Sequence, residues 1–545
     1  MFSSLQLENF KAFGEEVVIP FAPITLILGE NSAGKSSILQ ALSLLKQTRE
    51  SREAGVLLLP RSGKGIVDLG SFHDFIFDHD LNRSLSIGIE VELPSRRSPQ
   101  SHQQHLFRGI SENKVGLQII FQRPTSKDEI GIVELKIYLG DNRNPIAVFE
   151  STKTPSDLKR EAMMYWRFAR ELVPKDLKAA KCKWITIEES FWKPIYDSWK
   201  ETSAKIIGLL EKELSGKESS GEQFFLWPDR SVSKENVQQE YRTRLKEMLS
   251  FYSKKFTLAE FRDRLLSQHL NTVIGLDGFI PIIMKRPSIS QITDEHLVES
   301  ITHRNFGTPT ADVSRIAVTV GRVVDEEIRK LFPMGPSRRS PERWYIFTGT
   351  SPKDVGYQGD SMPDFLFRNP TVVNKVNSWL NRLDIGYKLE TRSLGPSIRD
   401  LFEVRLTDTR RKSSLKVGLP DVGFGVSQLL PFIVQALAGE EQIISIEQPE
   451  VHVHPRLQAD IGDLLAECAK KLNNQFLIES HSEHLVLRLQ RLIRKGVLSP
   501  DDISIIYVSR GNEGSKVLRL NIDKEGDFID EWPGGFFPER LRELD

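Results

Sequence analysis

The sequence predicts an α/β fold in which a mixed sheet with helices adjoins an antiparallel β subdomain and is interrupted by a mostly helical insertion. Three observations predict it. The apolar run ITLILG ends in Gly29, and a helical pattern, SSILQALSLLKQT, follows it. Residues 83–150 read instead as alternating, β-rich segments separated by polar turns. From about residue 335, strand and helix patterns alternate again, after a long stretch of helical texture. The expected division is residues 1–150 as an N-terminal half, 151–334 as the insertion and 335–545 as a C-terminal half. A chain of 545 residues exceeds the usual single-domain size, in keeping with several units.

Each element has its own justification. SSLQLENF, EEVVIPF and ITLILG are short strand patterns. SLSIGIEVEL, VGLQIIFQ, IGIVELKIYL and PIAVFES alternate with period two and suit one antiparallel sheet. SDLKREAMMYWRFARELV, FWKPIYDSWKETSAKIIGLLEKEL, KENVQQEYRTRLKEMLSFYSKKF, LAEFRDRLLSQHL and DVSRIAVTVGRVVDEEIRKLF suit helices, and LSGKESSGEQ reads as a flexible break. Trp192, Trp199 and Phe251 fall on helical patterns as core residues. No heptad run is long enough for an extended coiled coil, and no repeat recurs.

Bulk properties narrow the function classes. Lys and Arg number 74 and so do Asp and Glu, giving a formal net charge of zero, so no global charge favours nucleic acid. Cys182 and Cys468 are far apart and form no CxxC pair, which disfavours a disulfide framework or a cysteine zinc site. No window approaches the roughly 18 apolar residues of a membrane span. A cytoplasmic protein with no membrane partner is expected.

Chemistry enters at residues 29–37, GENSAGKSS, which satisfy G-x-x-x-x-G-K-[ST] between a strand and a helix. Glycines let the backbone of Asn31, Ser32, Ala33 and Gly34 wrap phosphates, with N–H groups aimed inward at a helix N-terminus. Lys35 brings positive charge to the β- and γ-phosphates. Ser36, the last residue of the pattern, can ligate Mg²⁺, and Ser37 follows it as a further nucleotide-binding candidate. The expected ligands are ATP and Mg²⁺.

With that loop placed, residues 421–437 (DVGFGVSQLLPFIVQAL), 443–455 (IISIEQPEVHVHP) and 476–489 (FLIESHSEHLVLRL) fall in a familiar order. They resemble the signature segment, Walker B segment and switch histidine of ATP-binding-cassette ATPases. The nearest resemblance is to the SMC/RecF-like and OLD-like AAA proteins of bacteria, of which LQLENFKAFG is also typical. It covers roughly the first 75 and last 210 residues. It implies an ABC-type P-loop ATPase head, with Glu447 as the Walker B acid for Mg²⁺ and His481 as the sensor of the γ-phosphate. It also implies that Gly425, Ser427 and Gln428 reach a partner's nucleotide across an ATP-sandwiched homodimer. GFGVSQ departs from LSGGQ, and a glycine-rich turn capping a helix would look the same. MGPSRRSPERWY and EWPGGFFPER look like a narrower group, the PtuA-like ATPases of Septu anti-phage systems, some of which accompany retrons. That likeness implies an HNH-type nuclease partner and, for the retron-associated members, a reverse transcriptase or retron nucleic acid.

One departure stands out. The residue after the Walker B acid is normally a glutamate that polarises water, and here it is Gln448. Glutamine orients water but accepts no proton at neutral pH, and general-base help is worth about 10²–10⁴-fold. Turnover need not vanish, because phosphoryl transfer depends mainly on positioning and charge. Either Gln448 positions the water or Glu450 supplies a carboxylate. Slow hydrolysis and a long-lived ATP state are expected, suiting a regulatory or sensor subunit. The alternatives are an SMC/RecF-like DNA-repair ATPase or a nucleotide-binding scaffold without turnover.

Other groups are weaker candidates. His452 and His454 suit a dimer contact or packing rather than zinc. Asp68 is a substitute for the missing Q-loop glutamine or a solvated turn acid. Residues 336–343, PSRRSPER, bind phosphate or nucleic acid, or form a solvated loop of Arg–acid pairs. Asp523, Asp527 and Asp530 read as a polar turn. With 64 residues after His481, no nuclease domain is expected within the chain.

Overall fold

A computed structural model describes residues 1–545 except 52–55, 62–64, 94–112, 124–129, 141–143, 153–177, 187, 216–238, 240–241, 244, 248, 251, 270–272, 283–309, 348, 350–351, 396–399, 413–414 and 534–545.

The centre is a six-stranded sheet of β1 (Ile24–Gly29), β2 (Leu331–Met334), β3 (Ile443–Glu447), β4 (Gln475–Glu479), β5 (Ile503–Gly511) and β6 (Gly514–Leu520), in the order β2–β3–β4–β1–β5–β6. All neighbours are parallel except the β5–β6 hairpin. β1 therefore lies between two strands from the far end of the chain. The nearly continuous burial along β1, β3 and β4, mostly apolar with Thr25, Ser445 and Gln475 enclosed, is what a parallel sheet covered on both faces requires. Alternation along β1 places Ile24, Leu26 and Leu28 in one core and Ile27 in the other. Each such fully buried side chain contributes about 1.5–3 kcal/mol.

Four helices flank the sheet: α1 (Lys35–Glu50), α2 (Phe424–Ala438), α3 (Pro455–Leu472) and α4 (Glu483–Arg494). The apolar faces of α2, α3 and α4 join the core containing Ile24, while α1 packs with Ile27. β1 runs through its loop into α1, β3 into the loop before α3, and β4 into the loop before α4. The carboxyl ends of the parallel strands thus carry the loops on one rim, where such sheets bind ligands.

Among the described residues the antiparallel sheet has nine strands and runs further than its sequence pattern implied. Phe2–Glu8, Val17–Pro20, Leu85–Glu92, Lys114–Gln122, Gly131–Leu139 and Ala147–Thr152 are joined by Lys178–Ile185, Val273–Asp277 and Ile280–Ile282 from the stretch expected to be helical. KAAKCKWI has few residues with strand preference, so its state comes from pairing with Ala147–Thr152 and Val273–Asp277 rather than from local propensity. Helices Glu189–Ser215, Leu258–His269 and Thr310–Arg329 do occupy that stretch. The last belongs physically to the N-terminal half. Val313, Ala317, Val320 and Val324 pack into its core, and Arg49 of α1 bonds Asp325 at 2.7 Å and pairs with Asp277 at 3.1 Å.

The helix expected at 156–173 lies outside the described residues, as do parts of 214–223 and 234–256. Trp192 is buried, as its pattern implied, whereas the side chains of Trp199 and Phe251 lie outside the described set. A four-stranded sheet, Tyr345–Ile346, Tyr387–Ser393, Leu401–Asp408 and Lys416–Gly418, covers the C-terminal half. Among the described residues no helix is long and apolar enough to cross a membrane.

Candidate active site

The loop between β1 and α1 is shaped by two glycines. Gly29 has φ +133°, and a Cβ there would fall 2.0 Å from the Val508 carbonyl oxygen of β5. Gly34 has φ +97° and precedes the first turn of α1. Both lie in the left-handed half of conformational space that other residues occupy only under strain. Asn31, Ser32 and Ser36 are exposed or half-buried, and Ala33 and Ser37 are buried. The hairpin β5–β6 braces the loop. Arg510 donates to the Asn31 carbonyl at 3.1 Å, and the Ser515 hydroxyl donates to the Ala33 carbonyl at 2.6 Å. Lys35 is only 4 % exposed, and its ammonium donates to the carbonyls of Gly29 at 3.1 Å and Glu30 at 2.6 Å. Gly29→Ala is expected to cost at least about 3 kcal/mol, because backbone itself must move. A thermal melt checks it, and a melting temperature within two or three degrees of wild type would refute the strained-loop reading.

Two acids end neighbouring strands. Glu447 and Glu479 are cross-strand partners, and Glu479 is in turn opposite Ile27 of β1. Glu447 therefore lies two strand spacings, roughly 10 Å, from the strand that feeds the loop. Burial, followed by the Glu479 charge, pushes the Glu447 carboxyl up to about 7, opposed by Arg338, Lys11 and a hydrogen bond with Tyr357. Burial also lowers the Lys35 ammonium, against the pull of Glu479 and Glu30. His481 is shifted down by burial and then by the Lys35 charge. Lys35 and Glu447 thus both lie in the field of Glu479, and His481 lies in that of Lys35.

The loop after β3 is tightly held. Gln448 has φ +46°, and its N–H donates to the Glu479 carbonyl at 2.8 Å. Glu450 accepts the His481 N–H at 2.6 Å and also bonds Ser480, so it ties the β3 loop to the β4 loop. Burial raises the Glu450 carboxyl, and its Oε2 has no partner. The first turn of α2 lies on the same loop. A Cβ at Gly425 would fall 2.3 Å from the His452 carbonyl oxygen, and the rings of Phe424 and His452 meet edge-on at 4.8 Å. Ser427 donates to the Phe424 carbonyl at 2.8 Å, and Gln428, buried in its own head, accepts the Arg338 N–H at 3.1 Å. His454 caps α3 by accepting the Arg456 N–H.

Three site residues escaped sequence reasoning, Glu479, Lys11 and Tyr357, while Arg338 was covered only as part of the basic stretch 336–343. Glu479 had a signal, since QFLIE ends in an acid as IISIE does. The basic stretch divides. Arg339 pairs with Glu342 and Arg343 with Asp421 at the surface, whereas Arg338 is buried beside Glu447 and Glu450. Asp68 is exposed, pairs with Arg61 at 3.4 Å and accepts the Gly70 N–H, as a turn acid does. Asp523 and Asp530 accept main-chain N–H groups of Asp527 and Asn521 in a turn.

The residues present fit a magnesium-bound triphosphate. Gly29 and Gly34 hold the loop in backbone conformations that other residues reach only under strain, packed against Val508 and Ala12. Buried donors without partners, Arg338 Nε and Nη2 and Gln428 Nε2, suit an anion. Ser36 and Glu447 would hold Mg²⁺, which when bound supplies positive charge to the phosphate oxygens.

Two family models of ATPase domains match parts of the chain. A model described as "AAA ATPase domain" matches residues 1–261, and one described as "AAA domain, putative AbiEii toxin, Type IV TA system" matches residues 362–488. A domain of unknown function, DUF3696, matches residues 498–545. No curated protein matches the chain. Among solved structures, the Smc head domain of Pyrococcus furiosus, bound to the C-terminal domain of ScpA, is similar at 13 % identity and TM-score 0.36, over 95 % of this chain and 96 % of that one. The Smc head domain of Thermotoga maritima is similar at 11 % identity and TM-score 0.36, over 96 % of this chain and 99 % of that one. The stretches matched by the two AAA ATPase models meet in one sheet, where β1 lies between β4 and β5, so the chain is similar to AAA-type ATPases over both of its ends and carries its glycine loop between β1 and α1.

Proposed function

We propose that this ATPase turns over slowly and works as a switch, the regulatory or sensing subunit of a cytoplasmic anti-phage defence system whose ATP-bound homodimer controls a separate HNH-type nuclease. The observation that carries the slow switch is Gln448. It stands where an activating glutamate is usual, and the acid that follows it in the loop, Glu450, is already engaged by His481 and Ser480. The exposed start of α2, with Phe424 at 53 % exposure, supports a surface for a second head. The toxin–antitoxin wording attached to one matching model favours a role in bacterial conflict. The experiment is a plaque assay in cells carrying the gene with and without a neighbouring nuclease gene. Protection should need both genes and vanish with Lys35→Ala. Protection-independent sensitivity to DNA damage on deletion would favour a DNA-repair ATPase instead, and complete absence of turnover in purified protein would favour a scaffold.

Glu447 gives the site a pH signature. Its carboxyl is largely protonated at pH 6 and ionised at pH 8. A cation needs the ionised form, so affinity for Mg²⁺-nucleotide should rise with pH, by up to about tenfold per unit below 7 and level above it. Calorimetric titration with ATPγS and Mg²⁺ in buffers of different ionisation enthalpy should show a proton released at pH 6.5. Glu447→Gln should flatten the slope. A wild-type affinity constant from pH 6 to 8 would contradict this assignment.

A further inference from the structure

The loop after β2 adds a residue to the same rim. β2 pairs in parallel with β3, so Arg338, four residues beyond Met334, emerges beside Glu447. We infer that Arg338 supplies, from within the same chain, the guanidinium that grips the terminal phosphate of the bound nucleotide.

The side chain is placed with care and left unspent. Arg338 is 8 % exposed. Its main-chain N–H is held by Gln428 Oε1 at 3.1 Å, and its Nη1 donates to the Pro336 carbonyl at 3.1 Å. Nε and Nη2, adjacent tines of the fork, are buried without a partner. A buried charged donor left unsatisfied is costly, so such groups mark strain or a ligand. The carboxylates nearby do not take up the fork. Glu447 bonds the Tyr357 hydroxyl, and Glu450 bonds the His481 N–H and Ser480. They act on Arg338 only through their field. Burial pushes the guanidinium down only to about 10, so it stays charged at neutral pH.

Two parallel N–H donors match two oxygens of one phosphate, a geometry that lysine cannot supply. Gln428 Nε2, on the amide that anchors the Arg338 backbone, is a further buried donor without a partner. A γ-phosphate held between Lys35 on one side and Arg338 on the other would have positive charge on both flanks as negative charge builds on its oxygens. Arg338 would then be a catalytic residue, and the signature helix α2 would position it through Gln428.

This inference rests on the cleft being the nucleotide site, and its test separates the two. Full-length wild type, Arg338→Ala and Arg338→Lys are titrated with Mg²⁺ and either ADP or ATPγS, and steady-state hydrolysis of ATP is measured. Arg338→Ala should weaken ATPγS by more than about tenfold while ADP stays within about twofold, with kcat down by about 10²–10³-fold. Arg338→Lys should keep part of the affinity and little of the rate. Equal weakening of ADP and ATPγS, or no change in either, overturns the assignment. If Arg338→Ala fails to fold, Arg338→Lys and Arg338→Gln carry the same comparison. Lys35→Ala is the control. If it loses both nucleotides while the Arg338 variants discriminate nothing, only the arginine assignment falls. If it keeps both nucleotides, the reading of the cleft falls, and the inference with it.

Discussion

Lys35→Ala should weaken ATP binding by about 10²-fold or more, since removing a buried charged donor from an anion site forfeits roughly 3 kcal/mol. The size follows from its surroundings. Lys35 is almost wholly buried, with only main-chain carbonyls of its own loop as hydrogen-bond partners, and burial already weakens its hold on the proton. A phosphate in the loop would meet a largely desolvated ammonium, where charge counts for more than at the surface. The fold should stand, because alanine suits the first turn of α1 and the hairpin β5–β6 braces the loop through Asn31 and Ala33 rather than through Lys35. Equilibrium titration of folded variant and wild type reads the effect. A loss below about threefold would mean that this lysine does not face phosphate.

Gln448→Glu should raise kcat by about 10²-fold, the lower end of what a positioned general base supplies. The backbone at 448 sits in a left-handed turn pinned to the Glu479 carbonyl, directly after Glu447 at the carboxyl end of β3. Glutamate has the same length and would bring an acceptor for the water proton to that place. KM should change little, because the residue acts on water rather than on nucleotide. The added carboxylate would stand near Glu447 and Glu479, which tempers the gain by raising its own pKa. A fast wild type with no gain in the variant would refute slow switching.

What was legible in the sequence divides by the range of the interactions involved. ITLILG, its glycine loop and the helix after it are local patterns, and they appear as read. The ends of β3 and β4 were legible too, since each apolar run stops at an acid. Sheet membership past residue 150 was not, because Lys178–Ile185 owes its strand to neighbours on both sides. Helix Thr310–Arg329 was legible as a helix, but not as part of the N-terminal core. Arg338 looked like its neighbours Arg339 and Arg343 among serines and prolines, and only tertiary placement separates the buried guanidinium from the paired surface ones. Gln428 was legible as a motif residue, but its hydrogen bond to the Arg338 N–H is a tertiary contact that no local pattern announces.

The decisive measurement is a crystal structure with Mg²⁺ and ATPγS. The expected result is a metal between the Ser36 hydroxyl and the Glu447 carboxylate, with the triphosphate in the 29–37 loop, so that β1 from one end of the chain and β3 from the other serve one ligand. Nucleotide elsewhere, or a metal that ignores Glu447, would contradict it.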